Sequence, residues 1–316
     1  MLPFVFFPSM QVDEIQDPFS WDFQLDTTDA GRNFHRRNDG HEIQRPDVVD
    51  DCCLGLLLQA RIDRIIHGYI KSGTGPATLI IFGFRFHGID EDRRFKKAEI
   101  TITFQDEGKQ PRNDPEVVAL WPNGSFTLGE PLEVEVEESS GGEAGLSVTG
   151  GVGVQGGGQA LRRWGRKIGY KRPVNNASLT GSIILDTNIR EYGRNNAIHL
   201  TLNESKMTSS GIVTDFRAAV LLRRQSPEDT FTGTVIMKAD AHFAYNAVKG
   251  AREVFGGSPV NDPIIFSPGI QYLRPKTLLG ALETQLEEEI DDCNLGGVSI
   301  ESLAVMQGIT VLANPV

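Results

Sequence analysis

Cysteine is scarce: Cys52, Cys53 and Cys293 are the only three in 316 residues. Three thiols make no disulfide framework, and adjacent Cys52 and Cys53 lack the spacing of a zinc-binding pair, with no histidine pair near them. This usage fits a reducing compartment and points to a cytoplasmic protein. Long apolar runs are also missing. A spanning helix needs roughly 18–20 apolar residues, and the run at Cys53–Ala60 is cut short by Arg61 and Asp63. The N-terminus MLPFVFFPSM has a brief apolar run, bracketed by Pro3 and Pro8, without the basic region of a secretory leader. It is a poor export signal, and secretion stays open. Basic residues are the minority, 31 against 42 acidic, and the net charge of −11 disfavours nucleic acid and anionic membrane as partners.

Several catalytic signatures are absent too. The six histidines form neither HxH nor HExxH, and no GxSxG is present. The run GVGVQGGG lies between strand-like segments with no helix behind it, which removes the setting of a dinucleotide-binding loop. A membrane-inserting hairpin built on Leu146–Val154 is disfavoured by the shortness of that strand.

What the sequence has in abundance is period-two alternation punctuated by Gly (34) and Pro (16). Ala77–His87 is an apolar, β-branched and aromatic run. Phe95–Phe104 sets Ala98, Ile100, Ile102 and Phe104 on one side and Lys97, Glu99, Thr101 and Thr103 on the other. These two stretches are predicted to be neighbouring antiparallel strands of one sheet. Further strands are predicted at Arg61–Lys71, Glu116–Trp121, Ser125–Leu128, Pro131–Glu138, Leu179–Leu185, Ala197–Leu202, Ile212–Arg224 and Phe231–Phe243, with Gln225–Thr230 as the hairpin loop before the last. Asp47–Leu58 is open between a short helix and an extended entry. Lys276–Asp292, with Leu278, Leu282, Leu286 and Ile290 four apart, is the one amphipathic helix. The expected fold is all-β, an antiparallel β-sandwich with one C-terminal helix. It comprises an irregular arm (1–60), a β domain (61–270) with a Gly-rich insertion near 141–159, and a C-terminal helix and tail (271–316).

Candidate chemistry is sparse. Asp90, Glu91 and Asp92 form an acidic turn of the kind hard cations use, so no cofactor is expected apart from a divalent cation there. His87 lies beside that turn and could act as a general base with Asp90 or Asp92. Asp106/Glu107 and Asp114/Glu116 are the nearest acids that could complete a cation site. Ala160–Arg172 carries Arg162, Arg163, Arg166, Lys167, Lys171 and Arg172 within a span free of acidic residues. That segment reads either as an anion- or partner-binding patch or as a strand neutralised by Glu133, Glu135 and Glu137 across a sheet. His67, His199 and His242 fall within predicted strands, where a structural role is the default.

The texture of FGFRF (Phe82–Phe86), RRFKKAEITITF (Arg93–Phe104), DPEVVALWPNG (Asp114–Gly124) and RAAVLLRR (Arg217–Arg224) resembles a group of functionally uncharacterised β-rich proteins of filamentous fungi, over about residues 60–270. The resemblance implies a β fold and carries no catalytic residue. The Gly-rich stretch departs from it. The expected function is a non-catalytic binding or interaction module for a small molecule or protein. The alternative is a cofactor-independent cyclase, isomerase or hydrolase acting on an apolar small molecule, of the sort fungal secondary metabolism employs.

Overall fold

Where apolar residues alternate or run together in the sequence, the backbone is extended, and the strands sort into two main antiparallel sheets. A computed structural model describes residues 36–40, 42–53, 55–88, 93–128, 132–138, 168–174, 177–205, 209, 211–241, 261–272, 290–305 and 311–312. Sheet A is ordered β1 (Asp47–Cys53), β2 (Leu56–Lys71), β3 (Thr74–Gly88), β11 (Asp215–Arg223), β5 (Glu116–Trp121). Sheet B is ordered β13 (Ile264–Phe266), β12 (Phe231–Asp240), β4 (Lys97–Asp106), β10 (Ala197–Glu204), β9 (Ala177–Ile184), β6 (Gly124–Leu128), β14 (Val311–Leu312). β7 (Leu132–Glu138) and β8 (Ile168–Val174) pair separately as a two-stranded ribbon. The fold is all-β and sandwich-like, with a short helical region near the C-terminus: a 3-10 helix at Asp292–Gly297 and α1 at Ile300–Val305.

One apolar core lies between the sheets. Sheet A contributes Leu58, Ile62, Ile80, Phe82, Phe84 and Val220, and sheet B contributes Ile100, Ile102, Phe104, Leu200 and Val235. Phe84 stacks on Phe216 at 5.0 Å, and Phe231 on Phe266 at 4.8 Å. The two stretches expected to pair, Ala77–His87 and Phe95–Phe104, belong to different sheets. β3 bonds to β2 and β11, whereas β4 bonds to β10 and β12. They meet across the core instead, where Phe86 meets Phe95 edge-on at 5.7 Å. Gln225–Thr230 is likewise a crossing between sheets and not a hairpin loop, since β11 lies in sheet A and β12 in sheet B. Period two fixes which row of side chains is buried, and an inward apolar row serves equally well beside its sequence neighbour or opposite it.

β2 and β3 form a hairpin closing between Lys71 and Thr74, and β1 and β2 another closing between Cys53 and Leu56. Strand pairing starts at Asp47, so the extended reading of Asp47–Leu58 holds, within the stretch assigned to an irregular arm. Residues 36–40 and 42–46 are fastened to 261–272. The Gln44 side chain donates to the Ser267 and Ile270 carbonyls, and Arg45 donates to the Asp262 carbonyl. The amphipathic-helix expectation over Lys276–Asp292 falls outside the described residues, except for its last three.

Sheet A is covered on its outer face as well. Leu295 and Leu303 of the C-terminal helical segment form a second buried cluster with Leu79, Ile81, Ala219, Leu221 and Trp121. Contact is close enough that a Cβ at Gly68 of β2 would fall on the Asp292 carbonyl. We therefore expect Gly68→Ala to cost about 1–3 kcal/mol through forced separation of packed elements. Proteolysis should begin earlier in 290–305; an unchanged urea midpoint would show that this approach is not needed. Ile100→Ala or Phe104→Ala, both fully buried, should cost roughly 2–5 kcal/mol. Thr101→Ala should stay within about 0.5 kcal/mol, and equal losses for all three would contradict the one-sided burial of β4.

Candidate functional site

On the outer face of sheet A, beyond the apolar cluster, three charged side chains are buried. Register aligns Arg61 of β2, Gly83 of β3 and Arg217 of β11 in one row. Register shifts between Ile62 and Arg64, so Asp63 is the extra residue of a β-bulge. Its carboxylate bridges Arg61 (Nε to Oδ1, 2.6 Å) and Arg217, and all three residues are buried. Glycine at 83 makes this possible, because a Cβ there would lie 2.9 Å from Asp63 Oδ2. Burial, opposed by the Asp63 charge, lowers the Arg61 pKa. The arrangement ties three strands together and holds the Asp63 carboxylate between two guanidinium groups.

A second polar network clasps the loops at one end of the sandwich. Asp114 accepts from the Asp106 amide at 2.9 Å and pairs with Arg190 at 3.3 Å, and both side chains are buried. Burial raises the Asp114 pKa, with the Asp106 amide and Arg190 opposing. Fully buried Asn196 accepts from the Asp186 amide and donates to the Phe104 carbonyl, while Thr103 donates to Asp186. Thr103, expected on a wet face, is therefore covered by the 185–196 loop. Two of the four acids expected to complete a cation site are engaged by arginines, Asp114 with Arg190 and Glu116 with Arg194 and Arg223, while Asp106 accepts from the Gln110 amide.

His67 of β2 is mostly buried. Its Nδ1 lies 2.9 Å from the Thr78 hydroxyl, and its Nε2 is buried without a hydrogen-bond partner. Arg224 nearby is held by the carbonyls of Ala77, Ser226 and Pro227 and cannot retreat. Burial first, and then the Arg224 charge, pushes the His67 pKa from 6.5 down to about 4.

The outer face of sheet B differs from all of these. Its rows run across the strands as Ile236–Thr101–His199–Ser182, Lys238–Glu99–Thr201–Thr180–Ser125 and Asp240–Lys97–Asn203–Ser178–Thr127. These side chains are partly or fully exposed, and Ile236 is 47% exposed. His199 links two hydroxyls, Thr101 to Nδ1 and Thr201 to Nε2, each at 3.1 Å. Lys97 bonds to Glu99, which raises the lysine pKa and lowers that of the carboxylate. The resulting surface is broad, hydroxyl-lined and locally charge-balanced.

The residues singled out from the sequence are not assembled into one site. His87 is exposed at the end of β3, opposite Leu57; Asp90, Glu91 and Asp92 lie outside the described residues. So do Arg162, Arg163, Arg166 and Lys167 of the basic segment, the Gly-rich stretch 141–158, and His242. Lys171 and Arg172 fall in β8, where register sets Lys171 opposite Glu135 and Arg172 opposite Val134. Among the described residues, the one group of three side chains able to share a metal is Asp291, Asp292 and Cys293, all exposed, with ligand atoms within 4.8 Å. Asp291 already caps the 3-10 helix by accepting from the Cys293 amide. The hydrogen bond to Asp292 pushes the Cys293 thiol pKa up, against the thiolate a metal requires. No helix among the described residues is long and apolar enough to cross a membrane.

Comparison with protein families and with curated proteins finds no match to this chain.

The depressed His67 pKa has a consequence for acid stability. Between pH 6.5 and about 4 the unfolded chain binds a proton that the folded chain refuses. Stability therefore falls as pH drops through that window, by about 3 kcal/mol in all from this group. Urea titrations at pH 7 and pH 4 should show wild type losing that much more than His67→Gln, and parallel losses would refute the assignment.

Proposed function

We propose that the chain is a non-catalytic binding module whose ligand lies across the outer face of sheet B. The observation that carries this reading is an asymmetry of burial. Sheet A is covered on its inner face by sheet B and on its outer face by Leu295 and Leu303, and its own outward Arg61, Asp63 and Arg217 are buried as well. Sheet B has its outward rows partly exposed over five strands, from β12 to β6. The buried ionisable groups in the two polar networks are held by partners in the fold, and no nucleophile–base–orienting triad comes together among the described residues.

Shape argues for an extended ligand. A small molecule gains affinity by burying most of its surface in a concavity, whereas a pleated face offers one side only. A reducing compartment suits the exposed thiol of Cys293.

Hydrogen–deuterium exchange in the presence of a panel of neutral glycans, acidic glycans, peptides, RNA and lipid vesicles tests the reading. A ligand that protects β4 and β10 and is recovered chemically unchanged supports it. Turnover of a bound ligand, protection confined to another surface, or no binding across the panel overturns it.

A further inference from the structure

Resting on that reading of sheet B, we propose that the occupant of the face is a neutral, polyhydroxylated polymer, a strand of uncharged polysaccharide. Charge is the first argument. Lys97 and Lys238 meet Glu99 and Asp240 across strands β4 and β12, so the four charges cancel locally in a chain of net −11. The face itself offers a polyanion or a polycation no concentration of opposite charge to dock against. Hydrogen-bonding capacity is the second. Thr101 and Thr201 each spend one bond on His199, and Ser125 and Thr180 one on each other, and every one of these hydroxyls keeps capacity for a further bond. Such an array matches a ligand that itself donates and accepts at every position, as a sugar chain does.

Area is the third argument. Five strands spaced about 4.8 Å apart, read over three or four outward residues each, make a face roughly 20 Å square. That is on the order of 400 Å², about half of what each partner contributes to a standard protein–protein interface. A lipid surface needs apolar contact, and the one large exposed hydrophobic residue in these rows is Ile236. Beside Thr101 in register, Ile236 suits instead the C–H face of a single sugar ring. Each hydrogen bond to such a face displaces water, for a net gain of only about 0.5–1.5 kcal/mol. Affinity should therefore build with the number of contacts, and long chains should outbind short oligomers.

The test is depletion of the protein from solution by insoluble uncharged polysaccharides of several linkages, comparing wild type with Thr101→Arg and Thr201→Arg. Melting temperatures of the variants are measured alongside, so that a misfolded variant is replaced by Ser182→Arg. Expected is retention on at least one neutral polysaccharide that persists at about 0.5 M salt, because no charge is available to be screened. Retention should drop at least about tenfold in the folded arginine variants. No retention, or retention on anionic polymers alone that salt abolishes, overturns the polysaccharide. If exchange protection of β4 and β10 comes from a peptide or protein instead, the polysaccharide falls while the face remains the binding surface. If folded Thr101→Arg and Thr201→Arg are retained as well as wild type, the site is elsewhere and both readings fall.

Discussion

The rest of the structure depends on β3 being apolar on both faces. Thr78–Phe84 is buried without a break, with Ile80, Phe82 and Phe84 pointing into the sandwich and Leu79 and Ile81 pointing away. At roughly 25 cal/mol per Å² of apolar surface, an uncovered outer row would forgo several kcal/mol. The chain therefore needs two covers, sheet B on one side and the C-terminal helical segment on the other. Once that segment is committed to sheet A, the outer face of sheet B is left to its own chemistry. Hydroxyls, amides and balanced charges meet that requirement.

Charge burial on sheet A follows from the same constraint. Past Ile81 the outer row of β3 changes to Gly83, and its register neighbours are arginines. Two buried guanidinium groups beside one another are unfavourable without a carboxylate between them, and the β-bulge supplies Asp63 for that purpose. Gly83 leaves the space the carboxylate occupies. Glycine, bulge and arginine pair form one device, and a change at any of the three removes the reason for the others.

Much of the strand pattern was legible in the sequence. β4 declares its inward row through Ala98, Ile100, Ile102 and Phe104, all of which are buried. The apolar run Leu79–Phe84 is the signature of a strand covered on both sides. Sheet membership was not legible. Local alternation carries no information about whether two apolar rows lie side by side or face to face, and so β3 and β4 were expected to pair. Thr103 was misplaced for a related reason: a loop whose Asp186 lies 83 residues downstream folds over it, which no local pattern records. The hydroxyls of the open face were in view strand by strand, at Ser178, Thr180 and Ser182 and at Thr201. Only the β4–β10–β9 register brings them together.

Candidate sites chosen from the sequence leaned on concentrated charge, such as Asp90–Asp92 and the Arg162–Arg172 segment. The sheets point to a different criterion. Where ionisable groups are concentrated and buried, as at Asp63 or Asp114, their partners come from distant strands and loops and their work is to hold the fold. A surface retained for binding must instead stay soluble without satisfying itself. A face of hydroxyls does so at low cost, since a hydroxyl bonded to one neighbour, as Thr101 and Thr201 are to His199 and Ser125 is to Thr180, keeps further bonding capacity that solvent or a ligand can take up. His199 between Thr101 and Thr201 stiffens the centre of that face, reducing the side-chain freedom a ligand would otherwise have to remove. The open face of sheet B thus combines exposure, neutrality and partial preorganisation, and the two-sided burial of β3 is what leaves it free to do so.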